Sequence, residues 1–139
     1  MNYIKIFAEF ITGTLKSQSI CRIYQLINFK KILFKGDAIE FGEDELKKSF
    51  LYFSNLGKKK IFFSNNFNSK KKNFIKKNLK KKNRINKKFK NVVILNVLEH
   101  IFDTNNSMLE IRKILKKNGN LIISTPFIYR FHGAPDDYN

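Results

Sequence analysis

The run Asn91-Val92-Val93-Ile94-Leu95-Asn96 constrains this chain more than any other feature. Four apolar side chains in succession leave no polar face, so as a strand the segment must be covered on both sides, as in a parallel sheet between layers of helices. Three more segments fit that sheet. Asp37-Ala38-Ile39-Glu40-Phe41-Gly42 reads as a short buried strand ending in a glycine turn, and Lys60-Ile61-Phe62-Phe63 as another. Leu121-Ile122-Ile123-Ser124-Thr125 reads as the last, closed by Pro126, while residues 74–79 are a weaker candidate. Helical patterns lie between them. Glu43, Asp44 and Glu45 suit the first turn of a helix with Leu46, Phe50 and Phe53 on one side, stopped at Asn55-Leu56-Gly57. Asp103 or Thr104 can cap a helix whose Met108, Ile111, Ile114 and Leu115 form one stripe. Lys113, Lys116 and Lys117 suit its C-terminal end, with Asn118-Gly119 as its stop. This alternation predicts an α/β fold, a mostly parallel sheet with right-handed crossovers and helices on both faces.

Ahead of the sheet, Ile4, Phe7, Ala8, Ile11 and Leu15, then Ile20, Ile23, Tyr24 and Ile27, recur with helical spacing on either side of Gly13-Thr14. They predict two amphipathic helices or one bent helix, serving either as a cover on the core or at a membrane surface. With 139 residues one domain is the ceiling: residues 1–34 as the helical cover, and 35–139 as the sheet domain with a basic insertion at 58–90. That insertion holds fifteen basic groups and no acid, and so supplies most of the net charge of +17. Twenty-four lysines, seventeen asparagines, eighteen isoleucines and fifteen phenylalanines, all encoded by A- and T-rich codons, tie part of that charge to composition. The stretch reads either as a solvated face or as a polyanion site, the second because Phe62, Phe63, Phe67, Phe74 and Phe89 interleave with the lysines.

A single cysteine, Cys21, excludes an internal disulfide and a cysteine-based zinc site. Glu9 interrupts the N-terminal apolar patch, no small-residue cleavage site follows it, and no apolar run reaches the roughly 18 residues that span a bilayer. These features predict a soluble, cytoplasmic protein. No phosphate-binding loop with lysine, Ser/His/Asp set or paired-carboxylate spacing points to another chemistry.

The run Asn96-Val97-Leu98-Glu99-His100-Ile101-Phe102-Asp103, then the helix, then Leu121-Ile122-Ile123-Ser124-Thr125-Pro126-Phe127, resembles the second half of a class I S-adenosylmethionine-dependent methyltransferase of the small-molecule type. Such enzymes show a strand, an LEH turn, a helix ending in lysines and glycine, and a strand ending in a TP step. The resemblance covers residues 91–138 well and 35–57 loosely, and it implies a Rossmann-like sheet. It further implies methyl transfer from S-adenosylmethionine to oxygen of a small molecule or glycan precursor. By position, Glu40 and Gly42 match the first strand and the opening of the cofactor loop, where the second glycine position is Asp44. The ribose-binding acid falls near Ser64 or Asn65, Asn78 falls near the adenine, and Asn96, where the LEH turn begins, is implied as a further cofactor-binding position. These asparagines read equally as polar loop residues of an asparagine-rich chain.

His100 has three readings: a general base, a metal ligand together with Asn96 and Glu99, or a structural residue of the turn. No metal is assigned. His132, in the loop after the last strand, is a second catalytic candidate or a surface residue. The rival function is a non-catalytic basic fragment that binds nucleic acid through residues 58–90. The family fold has seven strands and five at most are read here, so the resemblance implies a chain incomplete at its C-terminal end. An exposed sheet edge would then favour self-association.

Overall fold

The computed structural model of the chain describes residues 3–16, 18–43, 46, 49–57, 60–65, 70–71, 73–80 and 86–125. Four strands, β1 (Ala38–Phe41), β2 (Ile61–Ser64), β3 (Phe89–Leu95) and β4 (Leu115–Ser124), form one sheet in the order β2-β1-β3-β4, every pair parallel. Among the described residues three α-helices accompany them, α1 (Tyr3–Leu15), α2 (Ile20–Phe29) and α3 (Thr104–Ile114). Alternation along β1 sorts the core into two halves. Ile39 and Phe41 join Val92, Ile94, Ile111 and Ile114 beneath α3, whereas Ala38 joins Ile61, Phe63, Val93, Phe29, Phe34 and Phe50 on the side of α2. Both faces of the sheet are therefore covered, and the fold is α/β and Rossmann-like.

Side chains fix the strand ends that the short β1 cannot hold alone. Asn91, fully buried, donates from Nδ2 to the carbonyls of Lys35 and Asp37, and its Oδ1 accepts from Asn120 of β4. Asp37 accepts from Lys90 N and Lys116 Nζ, each at 3.0 Å. Asn55 brackets Phe34 by bonding both its N–H and its carbonyl at 2.9 Å.

Residues 74–79 contribute one parallel bridge, between Phe63 and Phe74, rather than a strand. Instead of a helix with Leu46, Phe50 and Phe53 inward, a 3-10 turn runs over Phe50–Phe53, capped by Ser49, with Phe50 and Leu51 buried and Phe53 exposed. Asp44 and Glu45 lie outside the described residues.

Helix α3, capped by Asp103 through Asn106 N, ends at Ile114 because Leu115 turns extended and pairs with Phe89. Asn118-Gly119 is thus an irregularity within β4, where a Cβ on Gly119 would sit 2.9 Å from Lys90 O, and not the helix stop. The buried stripe of α3 is Ser107, Glu110, Ile111 and Ile114, leaving Met108 exposed.

In α1 the helical period is present but the face is reversed. Ile4, Phe7, Ala8, Ile11 and Leu15 point to solvent, while Ile6 and Phe10 are half-buried and Gly13 is buried against α2. Contact there is close: a Cβ on Gly13 would lie 2.5 Å from Ile23 Cγ1. Of the α2 positions, Ile23 and Ile27 are buried and Ile20 and Tyr24 are exposed.

Candidate functional site

From β1 the chain crosses to β2 on one side, then returns past β1 to β3 and β4 on the other. Strand order therefore reverses between the C-terminal ends of β1 and β3, and in open parallel sheets such a point opens a crevice for ligands. A cleft of about 340 Å³ lies there, within the range of small-molecule sites. Phe41 and Gly42 from β1, Ser64 and Asn65 from β2, Lys77 to Lys80, and Asn96, Val97, His100 and Ile101 line it.

Gly42 sits at φ +100°, a region that side chains other than glycine's rarely enter, and a Cβ there would meet Val97 Cγ2 at 2.7 Å. Its N–H donates to Ser64 O at 2.9 Å and its carbonyl accepts from Asn65 Nδ2 at 2.8 Å. The turn after β1 is thereby tied to the end of β2 on one side and packed on the β3 loop on the other.

Asn96 also has a left-handed backbone, φ 55°. Its N–H donates to Ser124 O at 2.8 Å, and its side-chain amide pairs with Gln25 of α2, whose Nε2 donates to Asn96 Oδ1 at 2.9 Å and to Ser124 Oγ at 2.6 Å. This amide is committed to Gln25, so Asn96 shapes the wall. Asn78 accepts from Lys80 N at 2.8 Å. His100 ends the 3-10 turn Leu98–His100 and lines the cleft, whereas Leu98 and Glu99 of the same turn are buried.

The remaining wall, residues 77–80, is pinned from two sides. Lys77 N donates to Ser64 Oγ at 3.1 Å, and Ser107 Oγ of α3 donates to Leu79 O at 3.1 Å. Lys77 itself is 1% exposed, and its Nζ donates to Glu110 Oε2 at 2.9 Å, with Lys113 on the other oxygen at 2.5 Å. Two ammonium donors hold the Glu110 carboxyl below its ordinary range.

Of the residues proposed from the sequence, Gly42, Asn65, Asn78, Asn96 and His100 line this one cleft. Glu40 is absent from the lining. It faces the α2 side, where its carboxylate accepts from Ser49 Oγ and from the amides of Phe50 and Leu51, both at 3.3 Å. Burial pushes its pKa up to about 7 against those hydrogen bonds. His132 lies outside the described residues.

Sequence reasoning missed Gln25, Lys77, Lys80 and Val97. Lys77 is one lysine in a run of many, and nothing local marks it as the buried one.

Among the described residues no three His, Cys, Asp or Glu side chains gather as a metal-ligand set. Exposed lysines of the basic stretch include Lys60, Lys70, Lys71, Lys76, Lys87 and Lys88. Its interleaved aromatics serve the core instead: Phe63 and Phe89 are buried, and Lys87 Nζ covers the Phe62 ring at 3.4 Å. Phe67 lies outside the described residues, as does the second half of the lysine run at 81–85.

No helix among the described residues is long and apolar enough to cross a membrane. Compared with protein-family models, curated proteins and solved structures, the chain matches none.

Proposed function

We infer that the switch-point cleft takes S-adenosylmethionine and that the chain carries out methyl transfer to oxygen of a small molecule or glycan precursor, as a class I methyltransferase-like enzyme. One observation carries the reading: Gly42, Asn65, Asn78, Asn96 and His100, scattered over 59 positions of sequence, line a single cleft where a parallel sheet binds ligands. The lining suits a nucleoside. Bare backbone at Gly42 permits close approach, and Asn65 and Asn78 share the lining with apolar Phe41, Leu79 and Ile101.

S-adenosylmethionine supplies an electrophilic methyl group on a sulfonium. The protein's part is to hold an acceptor hydroxyl in line and to remove its proton, and His100, in the cleft lining, supplies the imidazole for that purpose. Asn65 at the end of β2 would meet the ribose hydroxyls with a neutral amide, a weaker partner than a carboxylate. The nucleic-acid alternative is less supported, because among the described residues of the basic stretch Phe63 and Phe89 are buried and the Phe62 ring is covered by Lys87, leaving those three rings unavailable for stacking.

Isothermal titration of the full chain with S-adenosylmethionine tests the reading. Micromolar binding is expected, abolished by Gly42→Val with the far-UV helical signal retained. His100→Ala should keep the affinity within about threefold while reducing label transfer to hydroxyl acceptors by about a hundredfold or more. Absence of binding by the wild-type chain, with tight salt-sensitive RNA binding in its place, overturns it.

A further inference from the structure

Helix α1 turns an unbroken apolar face to solvent. Ile4 is 80% exposed, Phe7 67%, Ile11 46% and Leu15 81%, and their spacing of three and four residues puts them in one stripe. The opposite face, with Ile6, Phe10 and Gly13, is the one used against α2. In α2, Ile20 and Tyr24, four residues apart, are exposed at 70% and 62%.

A stripe this apolar costs free energy in water unless something covers it. At 13 residues α1 extends about 20 Å, too short for a hydrocarbon core of about 30 Å, so it fits lying in an interface and not across it. The surrounding charge selects the occupant. Residues 1–35 carry six basic groups (Lys5, Lys16, Arg22, Lys30, Lys31 and Lys35) and one acid, Glu9, which is ion-paired with Lys30 at 3.1 Å. A second copy would bring the same positive segment, and +17 overall, against itself. An anionic lipid surface complements both the stripe and the charge. We propose that the outward face of the α1–α2 hairpin seats on an anionic membrane surface, with Phe7 and Ile11 as its central anchors. This proposal does not rest on the cleft or on methyl transfer.

Vesicle co-sedimentation of the full chain decides it. Binding to vesicles of phosphatidylcholine mixed with phosphatidylglycerol is expected, with little binding to phosphatidylcholine alone and weakening in high salt. Phe7→Ser combined with Ile11→Ser removes side chains already in water, so the melting temperature should hold while the partition coefficient falls by about tenfold or more.

A polarity-sensitive fluorophore on the single, exposed Cys21 of α2 should shift to the blue on anionic vesicles, and should not do so in the double variant. Three results overturn the proposal. One is no binding to anionic vesicles. Another is equal binding by wild type and variant, which would assign the attraction to lysines alone. The third is a wild-type dimer in sedimentation that the variant dissociates, which would make a second copy the occupant.

Discussion

Two glutamates buried on opposite faces of the sheet, each 1% exposed, are held in opposite ways. Glu110, on the α3 side, has an ammonium on each carboxylate oxygen, Lys77 from the cleft wall and Lys113 from its own helix. Glu40, on the α2 side, has a hydroxyl and two backbone amides as its partners among the described residues. The first is driven below its ordinary pKa and the second up to about 7. Desolvation governs Glu40 and favours its neutral form, whereas the Lys113 and Lys77 hydrogen bonds govern Glu110 and favour its charge.

The strongest way to break this comparison is Glu110→Ala, which takes the Glu110 carboxylate away from the buried Lys77 ammonium. It should cost about 3–5 kcal/mol in urea unfolding, whereas Lys77→Met with Glu110→Leu should cost far less, because no charge is left behind.

A smaller effect separates the two carboxylates by pH. Glu40 binds its proton more tightly folded than unfolded, so stability falls as pH rises from the ordinary glutamate value of 4.5 through about 7, by about 3 kcal/mol. Glu110 has the opposite sign: its contribution is complete above the ordinary value and is lost only as pH falls through the lowered folded value. Thermal melts across pH 4 to 8 should therefore show a decline toward neutrality that Glu40→Gln flattens. A wild-type profile that rises over the same window refutes the assignment.

The smallest expected effect sharpens the contrast within the triad. Lys113, 62% exposed, should cost about 0.5 kcal/mol when changed to Ala, while its buried counterpart Lys77 costs several times more.

The sheet was legible in the sequence because buried parallel strands are written as apolar runs. The four apolar residues at 92–95 and the short 38–41 segment both became strands, with β3 starting at Phe89, ahead of the run. Helix faces were not legible in the same way. Helix α1 is apolar on two opposite sides, and periodicity identifies stripes without saying which one meets the core.

Glu40 shows the same limit in a strand. All four β1 residues are buried, so nothing in the pattern told which side of the sheet the carboxylate would take. The cleft residues were legible through their positions after strands, where turns and ligands concentrate. Gln25 was not, since its partner Asn96 is 71 residues away.

That amide clasp has a thermodynamic consequence. Gln25 bonds both Asn96, in the cleft wall, and Ser124 at the end of β4, so α2 and the head of the sheet share one set of hydrogen bonds. Any ligand that favours the present posture of Asn96 must, by reciprocity, also favour the docked hairpin, and a surface that holds the hairpin must return the same free energy to the ligand. Slower amide exchange in α2 on filling the cleft would be the signature of that linkage, and Gln25→Ala, which cuts the bonds joining them, should abolish it.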